Sequence, residues 1–376
     1  MVRKTILAAS TLIGTIIGAG IFGIPYVTAQ AGFPVGLIHI LIIGVLTLIT
    51  MLYLGEISLR TKGDHQLTGY AEKYLGYKGK VLMLSTMAFG IYSAVVAYLI
   101  GISESLSFLF FNSPNQSLLL GILFWLFVSL ISYKGIKALQ DGEFYGVTII
   151  LLLIISITVF FINKIDISNL NQFPTTNIIS LLAPFGVILF AFLGYSTMPE
   201  VEKILKGHEK GMKSSIITAV IISGIVYILF AGIVVGLKGD ATPEIATVAL
   251  GKPFIFLGIL TMFTSYLALS IALIDMFQFD FNISKPKSWL LTIIFPLIFF
   301  ILLQLINAAS FITVLGIGGV ISGGLASILI IYMVNNAKIR GNRKPEYSIP
   351  THPLLTWILI ILFVIGTIAE IINVLI

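Results

Sequence analysis

The chain has 376 residues, of which 58% are hydrophobic and only 10% charged, with a mean hydropathy of +1.08. That profile excludes a water-soluble domain, and the absence of cysteine excludes disulfides and thiol chemistry. The net charge of +6 would suit nucleic acid if the basic residues were clustered, but they are distributed along the chain by topology instead.

A bilayer core of roughly 30 Å takes about 20 apolar residues of helix. Runs of that kind lie at 5–31, 34–59, 81–111, 117–133, 143–163, 177–202, 213–237, 253–280, 288–307, 308–334 and 353–375. They predict an all-α polytopic membrane protein of about eleven transmembrane helices, one transmembrane domain over 1–376, with the lipid bilayer as its surroundings. If the N-terminus is cytoplasmic, only Lys164, Lys238 and Lys252 among the basic residues fall outside, as the positive-inside rule requires. The reading is a multi-pass protein of the cytoplasmic membrane, N-terminus inside and, with eleven helices, C-terminus outside. Arg3, Lys4 and the later Ala29-Gln30-Ala31 outline a signal peptide, but the apolar part between them is too long and holds a proline, so it is read as a retained span.

The first span contains "TLIGTIIGAGIFGIPY", residues 11–26, with four glycines and a proline. Inside a helix a glycine costs about 1 kcal/mol and a proline about 3 kcal/mol relative to alanine, so this span predicts a break. Gly14 and Gly18 also form a GxxxG, which packs helices without any break. At the inner end of span 2, Glu56 and Arg60 stand one turn apart and read as a structural or gating ion pair. The following loop predicts a short interfacial helix with Leu67, Tyr70, Ala71, Tyr74 and Leu75 on one face. Span 3 carries Tyr92, Tyr98 and, in its outward third, Glu104.

Span 6 repeats the opening feature. In "PFGVILFAFLGYSTMPEVEKIL", residues 184–205, Gly194 precedes Pro199 by five residues, as Gly20 precedes Pro25. The two spans run in opposite directions and lie five apart, which predicts an inverted-repeat transporter. The repeats would cover about 5–163 and 177–334, a 5+5 arrangement with broken helices 1 and 6, and 353–375 would be one extra C-terminal helix. On span 8, Thr261, Thr264 and Ser265 share a helical face. Asp275 lies nearer its inner end, and Glu200 follows Pro199 where span 6 nears the cytoplasm. Gly316, Gly318, Gly319, Gly323 and Gly324 on span 10 read as close helix packing.

Several stretches, in order, resemble one family. "GTIIGAGIFGIPYVTAQAG" is similar to the first helix of amino acid permeases of the amino acid/polyamine/organocation superfamily. "LYLGEISLRTKGDHQLTGYAEKYLG", "AYLIGISESL", "FAFLGYSTMPEV" and "TSYLALSIALIDMF" resemble the second, third, sixth and eighth helices of its hydroxy and aromatic amino acid permeases. The resemblance implies a leucine-transporter-type fold that binds a free amino acid at the two breaks. The amides of Ala19 and Gly20 would take the carboxylate, since half-helix N-termini attract anions. The carbonyls of Ile16, Phe190 and Phe192 would receive the ammonium group. In sodium-coupled members of this fold the hydroxyls matching Thr264 and Ser265 join carbonyls matching Gly14 and Ile17 around the ion, with Thr261 on the same face. Aromatic amino acid permeases carry a similar Thr-Ser pair and are regarded as proton symporters, so sodium and proton both stay open as the coupling ion, and no other cofactor is implied. Residues 144–162 lack the lysine that some proton-coupled relatives place in span 5.

Gly194 would mark the second break, and Tyr92, Phe192 and Tyr195, with Tyr98, would wall an apolar pocket with Tyr92 as a lid. Glu56, Arg60, Glu104, Glu200 and Asp275 are the gating or protonation candidates, Glu104 and Asp275 foremost for protonation. The leading reading is an ion-coupled symporter that brings aromatic or other neutral amino acids into the cell by alternating access. The alternative is an amino acid sensor on the same fold, like germinant-receptor subunits. No row of pore charges suggests a channel, and the four scattered histidines (His39, His65, His208, His352) form no enzyme constellation. The oligomeric state is open.

Overall fold

The computed structural model describes residues 2–63, 65–134, 143–172, 181–279 and 281–375, and every regular element among them is helical. Nine of the helices are long and apolar enough to cross a membrane, and a bent pair in span 1 makes a tenth. The helix Glu143–Phe161 occupies the place of the predicted fifth span. The predicted start of span 6, at 177, lies outside the described residues, and its described helix begins at Pro184.

Span 1 is three pieces: a helix Val2–Ile16, one 3-10 turn Ala19–Phe22 and a helix Ile24–Ala31. The long helices on either side of the break meet at 48°. The predicted interruption is real, and it falls at Ile17 and Gly18, inside the glycine cluster. Pro25 sits in the first turn of the outer helix, where a missing N–H costs nothing. Span 6 is also interrupted, between Pro184–Ala191 and Met198–Ile204, with a 3-10 turn Tyr195–Thr197 between them. Unlike span 1, it is not bent by more than 40°.

Spans 2, 4, 7, 8 and 9 are Phe33–Leu59, Ser117–Lys134, Met212–Lys238, Lys252–Phe279 and Lys285–Leu305. Span 10 runs from Phe311 to Arg340 with a π-helical segment Gly319–Gly324 at its glycine cluster, and span 11 is Pro353–Leu375. Span 3 lies within the helical stretch Leu67–Phe111, which breaks at Gly76, where φ is 77° and ψ −171°. Only glycine takes that left-handed extended conformation cheaply. The break separates the predicted interfacial helix from the span, and Leu67, Tyr70, Ala71 and Tyr74 are buried on its inner face.

The inner helix of span 1 packs on spans 5 and 7 and on the inner piece of span 6. The outer helix of span 1 packs on spans 2 and 7 and on the outer piece of span 6. Span 3 packs on spans 4, 8, 9 and 10. Outward surfaces are apolar: Leu123 and Phe127 on span 4, Phe295 and Phe299 on span 9, and Ile361 and Ile365 on span 11 are exposed. Continuous apolar surface on this scale is tolerated only against lipid.

Candidate functional site at two crossing helix breaks

The two interruptions pack against each other through glycine. A Cβ built on Gly20 would stand 2.9 Å from Ala191 Cα and 3.3 Å from Phe190 Cδ1. A Cβ on Gly194 would stand 3.0 Å from the Ile16 side chain and 3.1 Å from that of Met51. Each break therefore carries a glycine opposite the other span's backbone or side chain. The space that a side chain would take at Gly20 is filled by span 6, so the glycine serves helix crossing as well as backbone freedom.

The outer part of span 1 begins its hydrogen bonding with Ile21 N to Gly18 O at 3.4 Å and Gly23 N to Gly20 O at 3.2 Å. The amides of Ala19 and Gly20 stand ahead of those bonds, where a helix start leaves N–H groups without helical partners. Of these two, the Ala19 amide donates to the hydroxyl oxygen of Tyr98, a buried side chain on span 3, so a ligand would have to displace that hydroxyl. On the far side of the break, the Ile16 carbonyl accepts from the Tyr227 hydroxyl at 2.6 Å, and the Ala191 carbonyl lies 2.7 Å from that same hydroxyl. A phenol has one proton. The Ile16 and Ala191 carbonyls thus share one phenolic proton between them, in a fully buried place.

The structure brings Ile16, Ala19, Gly20, Phe190 and Gly194 to this crossing, but it changes the carbonyl set. Ala191, not Phe190 or Phe192, supplies the carbonyl that faces Ile16. The Phe190 carbonyl accepts from Leu193 N at 3.1 Å. The Phe192 ring is fully buried edge-on to Tyr227, 5.0 Å between centroids, on a side bordered by Gly44 of span 2 and Gly224 of span 7. Tyr195 does not wall a pocket; its hydroxyl bonds Thr50 of span 2 at 2.7 Å and Ser327 of span 10 at 2.8 Å. Tyr92 is not a lid. It bonds the Leu291 carbonyl of span 9 at 3.1 Å and packs on Phe277 and Phe295.

The candidate cation set is divided. Thr261 donates to Leu257 O at 3.0 Å and Thr264 to Thr261 O at 2.9 Å, the local bonding that hydroxyls adopt in membrane helices. Their lone pairs remain available to a cation, because only the proton is committed. Ser265 reaches the break: its Oγ lies 4.0 Å from the Cβ position of Gly18, and the Tyr98 hydroxyl lies 3.8 Å from it. Span 8 therefore meets span 1 at Gly18, one residue beyond Ile17. Gly14 remains inside the inner helix, and Ile17 continues its hydrogen bonding through Ile13 O at 2.7 Å.

Among the charged candidates, Glu56 is the most embedded. Its buried carboxylate receives Arg60 Nε at 2.8 Å, Ser348 Oγ at 2.7 Å and the Ile349 amide at 2.7 Å, with Lys338 Nζ at 3.8 Å. Tyr347 donates to Leu52 O at 2.8 Å, Tyr53 to Pro350 O at 3.1 Å, and the Arg60 carbonyl accepts the amides of Asn342 and Arg343. The connection between spans 10 and 11 is thereby strapped under span 2. Glu104 lies within electrostatic reach of Glu244, which accepts from Ser310 Oγ and the Ile312 amide at the start of span 10. Glu200 and Asp275 are exposed, Asp275 within electrostatic reach of Lys285. Beside Glu200, Glu202 accepts from Tyr70 at 2.5 Å and lines a small cleft with His65, Gln66, Pro199 and Lys203.

Tyr227 and Ala191 are the residues at the breaks that sequence reasoning missed, whereas Tyr98, expected in a pocket wall, bonds the Ala19 backbone. Tyr227 lies in the apolar run "SGIVYILFAG" with no local motif to mark it.

A polytopic helical protein whose two interrupted spans cross through glycine, with backbone groups at the crossing held by the hydroxyls of Tyr227 and Tyr98, is built as a membrane transporter. The chain belongs to the tryptophan/tyrosine permease family, whose model matches residues 1–249. It is 25% identical to the tyrosine-specific transport system 1 of Haemophilus influenzae, over 97% of this chain and 96% of that one. It is also 25% identical to glutamine transporter 2 of Aliivibrio fischeri over 87% of each chain, and 31% identical to the tyrosine permease of Enterobacter agglomerans over 26% of this chain and 23% of that one. The protein is an amino acid transporter and not an enzyme.

Proposed function

We propose that the protein is an ion-coupled symporter that carries a neutral amino acid, with tyrosine and other aromatic ones foremost, across the cytoplasmic membrane into the cell. The observation that carries this reading is the shared hydroxyl of Tyr227 between the Ile16 and Ala191 carbonyls. Two carbonyls short of one donor are a fitting place for an ammonium group, which brings three. The substrate's ammonium would take over the contacts Tyr227 now makes, and its carboxylate would meet the amides of Ala19 and Gly20, at the positive end of the outer half of span 1. Replacing both hydration shells is what makes a buried zwitterion affordable.

The coupling ion is sodium or a proton, with Ser265 the residue of the cation set placed nearest the break. Alternating access would swing spans 1 and 6 against the scaffold, as repeat-built transporters do. Aromatic specificity is supported by the family and by the tyrosine-carrying relatives. The N-terminus is assigned to the cytoplasm from the distribution of basic residues.

Purified protein in liposomes tests this directly. Labelled tyrosine, tryptophan and glutamine are offered under an imposed inward sodium or proton gradient. Gradient-driven accumulation of one of them is expected; saturable binding without accumulation under either gradient would instead assign a sensor.

A further inference from the structure

Span 11 is an addition to the two repeats the sequence predicts, and it carries one ionisable residue, Glu370, which is only 2% exposed. Its carboxyl is hydrogen-bonded by the backbone of Gly186, in the first turn of the outer piece of span 6. Its second oxygen, Oε2, is buried without a hydrogen-bond partner. A Cβ on Gly186 would meet Glu370 Cδ at 2.6 Å, the Gly316 carbonyl oxygen at 2.8 Å and Glu370 Oε1 at 2.9 Å, and a Cβ on Gly316 would collide with Oε1. Two glycines, on spans 6 and 10, thus make a slot the size of a carboxyl, with a carbonyl acceptor on its rim.

Among the described residues, the elements packed most extensively on span 11 bring no cation to that slot. They are the outer piece of span 6 and the three pieces of span 10. The outer piece of span 6, Phe311–Gly318 and the π segment Gly319–Gly324 carry no titratable side chain. Leu325–Arg340 carries Tyr332, Lys338 and Arg340, all toward the cytoplasmic end, where Lys338 is already engaged with Glu56. One amide donor does not compensate a carboxylate, which accepts at about four positions. A buried ion without a counter-charge takes up a proton instead of remaining charged.

We propose that Glu370 is a proton-binding site of the transport cycle, protonated while span 11 is docked on span 6 and deprotonated when that contact opens to water. The step forms one O–H bond to a carboxylate oxygen with a proton from the outer solution, and the same bond breaks on release. Because the slot is built on the outer half of broken span 6, occupancy of the proton site and the position of that half-helix are linked. The coupling role rests on the symport reading above; the protonated carboxyl does not.

Two measurements separate those levels. Infrared difference spectra of the wild type between neutral and alkaline pH should show the carbonyl stretch of a buried carboxylic acid, missing in Glu370→Gln. The glutamine keeps the size of the side chain, so size-exclusion behaviour and thermal unfolding serve as the folding control. In liposomes, Glu370→Gln should lose accumulation driven by a proton gradient, down to the level seen without a gradient. Glu370→Asp, which keeps an acid but shortens its reach, should recover part of it. A band that persists in the glutamine variant, or wild-type gradient-driven accumulation by that variant, would overturn the proposal. A wild type that transports no amino acid would remove the symport reading, while the infrared band would still decide the proton site.

Discussion

Gly20 and Ala191 approach so closely that a Cβ on the glycine would lie 2.9 Å from the alanine's Cα. The contact is to backbone, which cannot rotate away as a flexible side chain can. Gly20→Ala should therefore push the two breaks apart, destabilise the folded protein by about 1–3 kcal/mol and weaken amino acid binding. Gly20→Leu should abolish binding. Adding Ala191→Gly to Gly20→Ala should restore little, because the clash is with Cα. Binding isotherms and thermal unfolding in detergent check this, and full rescue by the double substitution would show that the obstacle is the methyl group alone.

Tyr227→Phe removes the one proton shared by the Ile16 and Ala191 carbonyls while leaving the ring against Phe192. Two buried carbonyls then lose their donor, at a cost of about 1–3 kcal/mol in the substrate-free protein. A bound ammonium supplies donors of its own. The variant is expected to unfold at lower temperature alone and to recover most of the difference when saturated with substrate. Equal stabilisation of wild type and variant by substrate would mean that the ammonium binds elsewhere.

The hydroxyls of span 8 make unequal predictions. Ser265 stands at the break, whereas Thr261 bonds within its own helix. In a sodium-coupled protein Ser265→Ala should raise the sodium concentration for half-maximal uptake, by about tenfold if one ligand is worth roughly 1.4 kcal/mol. Thr261→Ala should change it far less, with Thr264→Ala in between. Uptake measured across a sodium titration reads all three, and identical curves would return Ser265 to a packing role.

Glu56 holds the connection between spans 10 and 11 through Ser348, the Ile349 amide and the neighbouring Arg60. Removing one member of a buried charged network costs about 3–5 kcal/mol. Glu56→Ala should lower stability on that scale and expose Arg343 and Lys344 to trypsin in the otherwise folded protein. Glu56→Gln, which still accepts hydrogen bonds, should do so less. Unchanged cleavage kinetics in both variants would show that the strap is held without the carboxylate.

Much of this architecture was legible in the chain. Apolar run length and the sorting of basic residues reported the spans, and the glycines near Gly20 and Gly194 located both interruptions. The interfacial helix with Tyr70 and Tyr74 inward was readable because one of its faces meets water, so burial leaves a polar–apolar period. Inside the bilayer that period vanishes, since lipid-facing and protein-facing residues are both apolar. Nothing in the local sequence therefore turns Tyr227 toward the breaks or Tyr92 away from them. The sequence reading did not single out Glu370, whose slot is made by Gly186 and Gly316, far apart in sequence and on two different helices. The carbonyl that shares the Tyr227 hydroxyl with Ile16 is that of Ala191, between the expected Phe190 and Phe192, because the exact residue at which a helix unwinds depends on what it crosses.

The strap beneath span 2 sets apart two tied groups of elements at that end of the bundle. Span 2, the inner end of span 10 and residues 342–350 are riveted by buried bonds at Glu56, Leu52 and Arg60. The start of span 1 is tied instead to the connection before span 7, through Lys4 to Lys206 O at 2.9 Å and Ser215 to Thr5 O at 3.0 Å. Tyr70 to Glu202 at 2.5 Å links the interfacial helix to the inner piece of span 6, and Arg343 to Glu209 at 4.0 Å links the strap to the connection before span 7, while spans 2 and 7 pack directly on each other. The Arg343–Glu209 pair joins partly exposed side chains and is a weak contact, whereas Tyr70 is buried. Cross-linking cysteines placed at Tyr70 and Glu202 should arrest transport reversibly under reductant, whereas a pair at Leu52 and Tyr347 should leave it running; the opposite result would put the hinge through the strap itself.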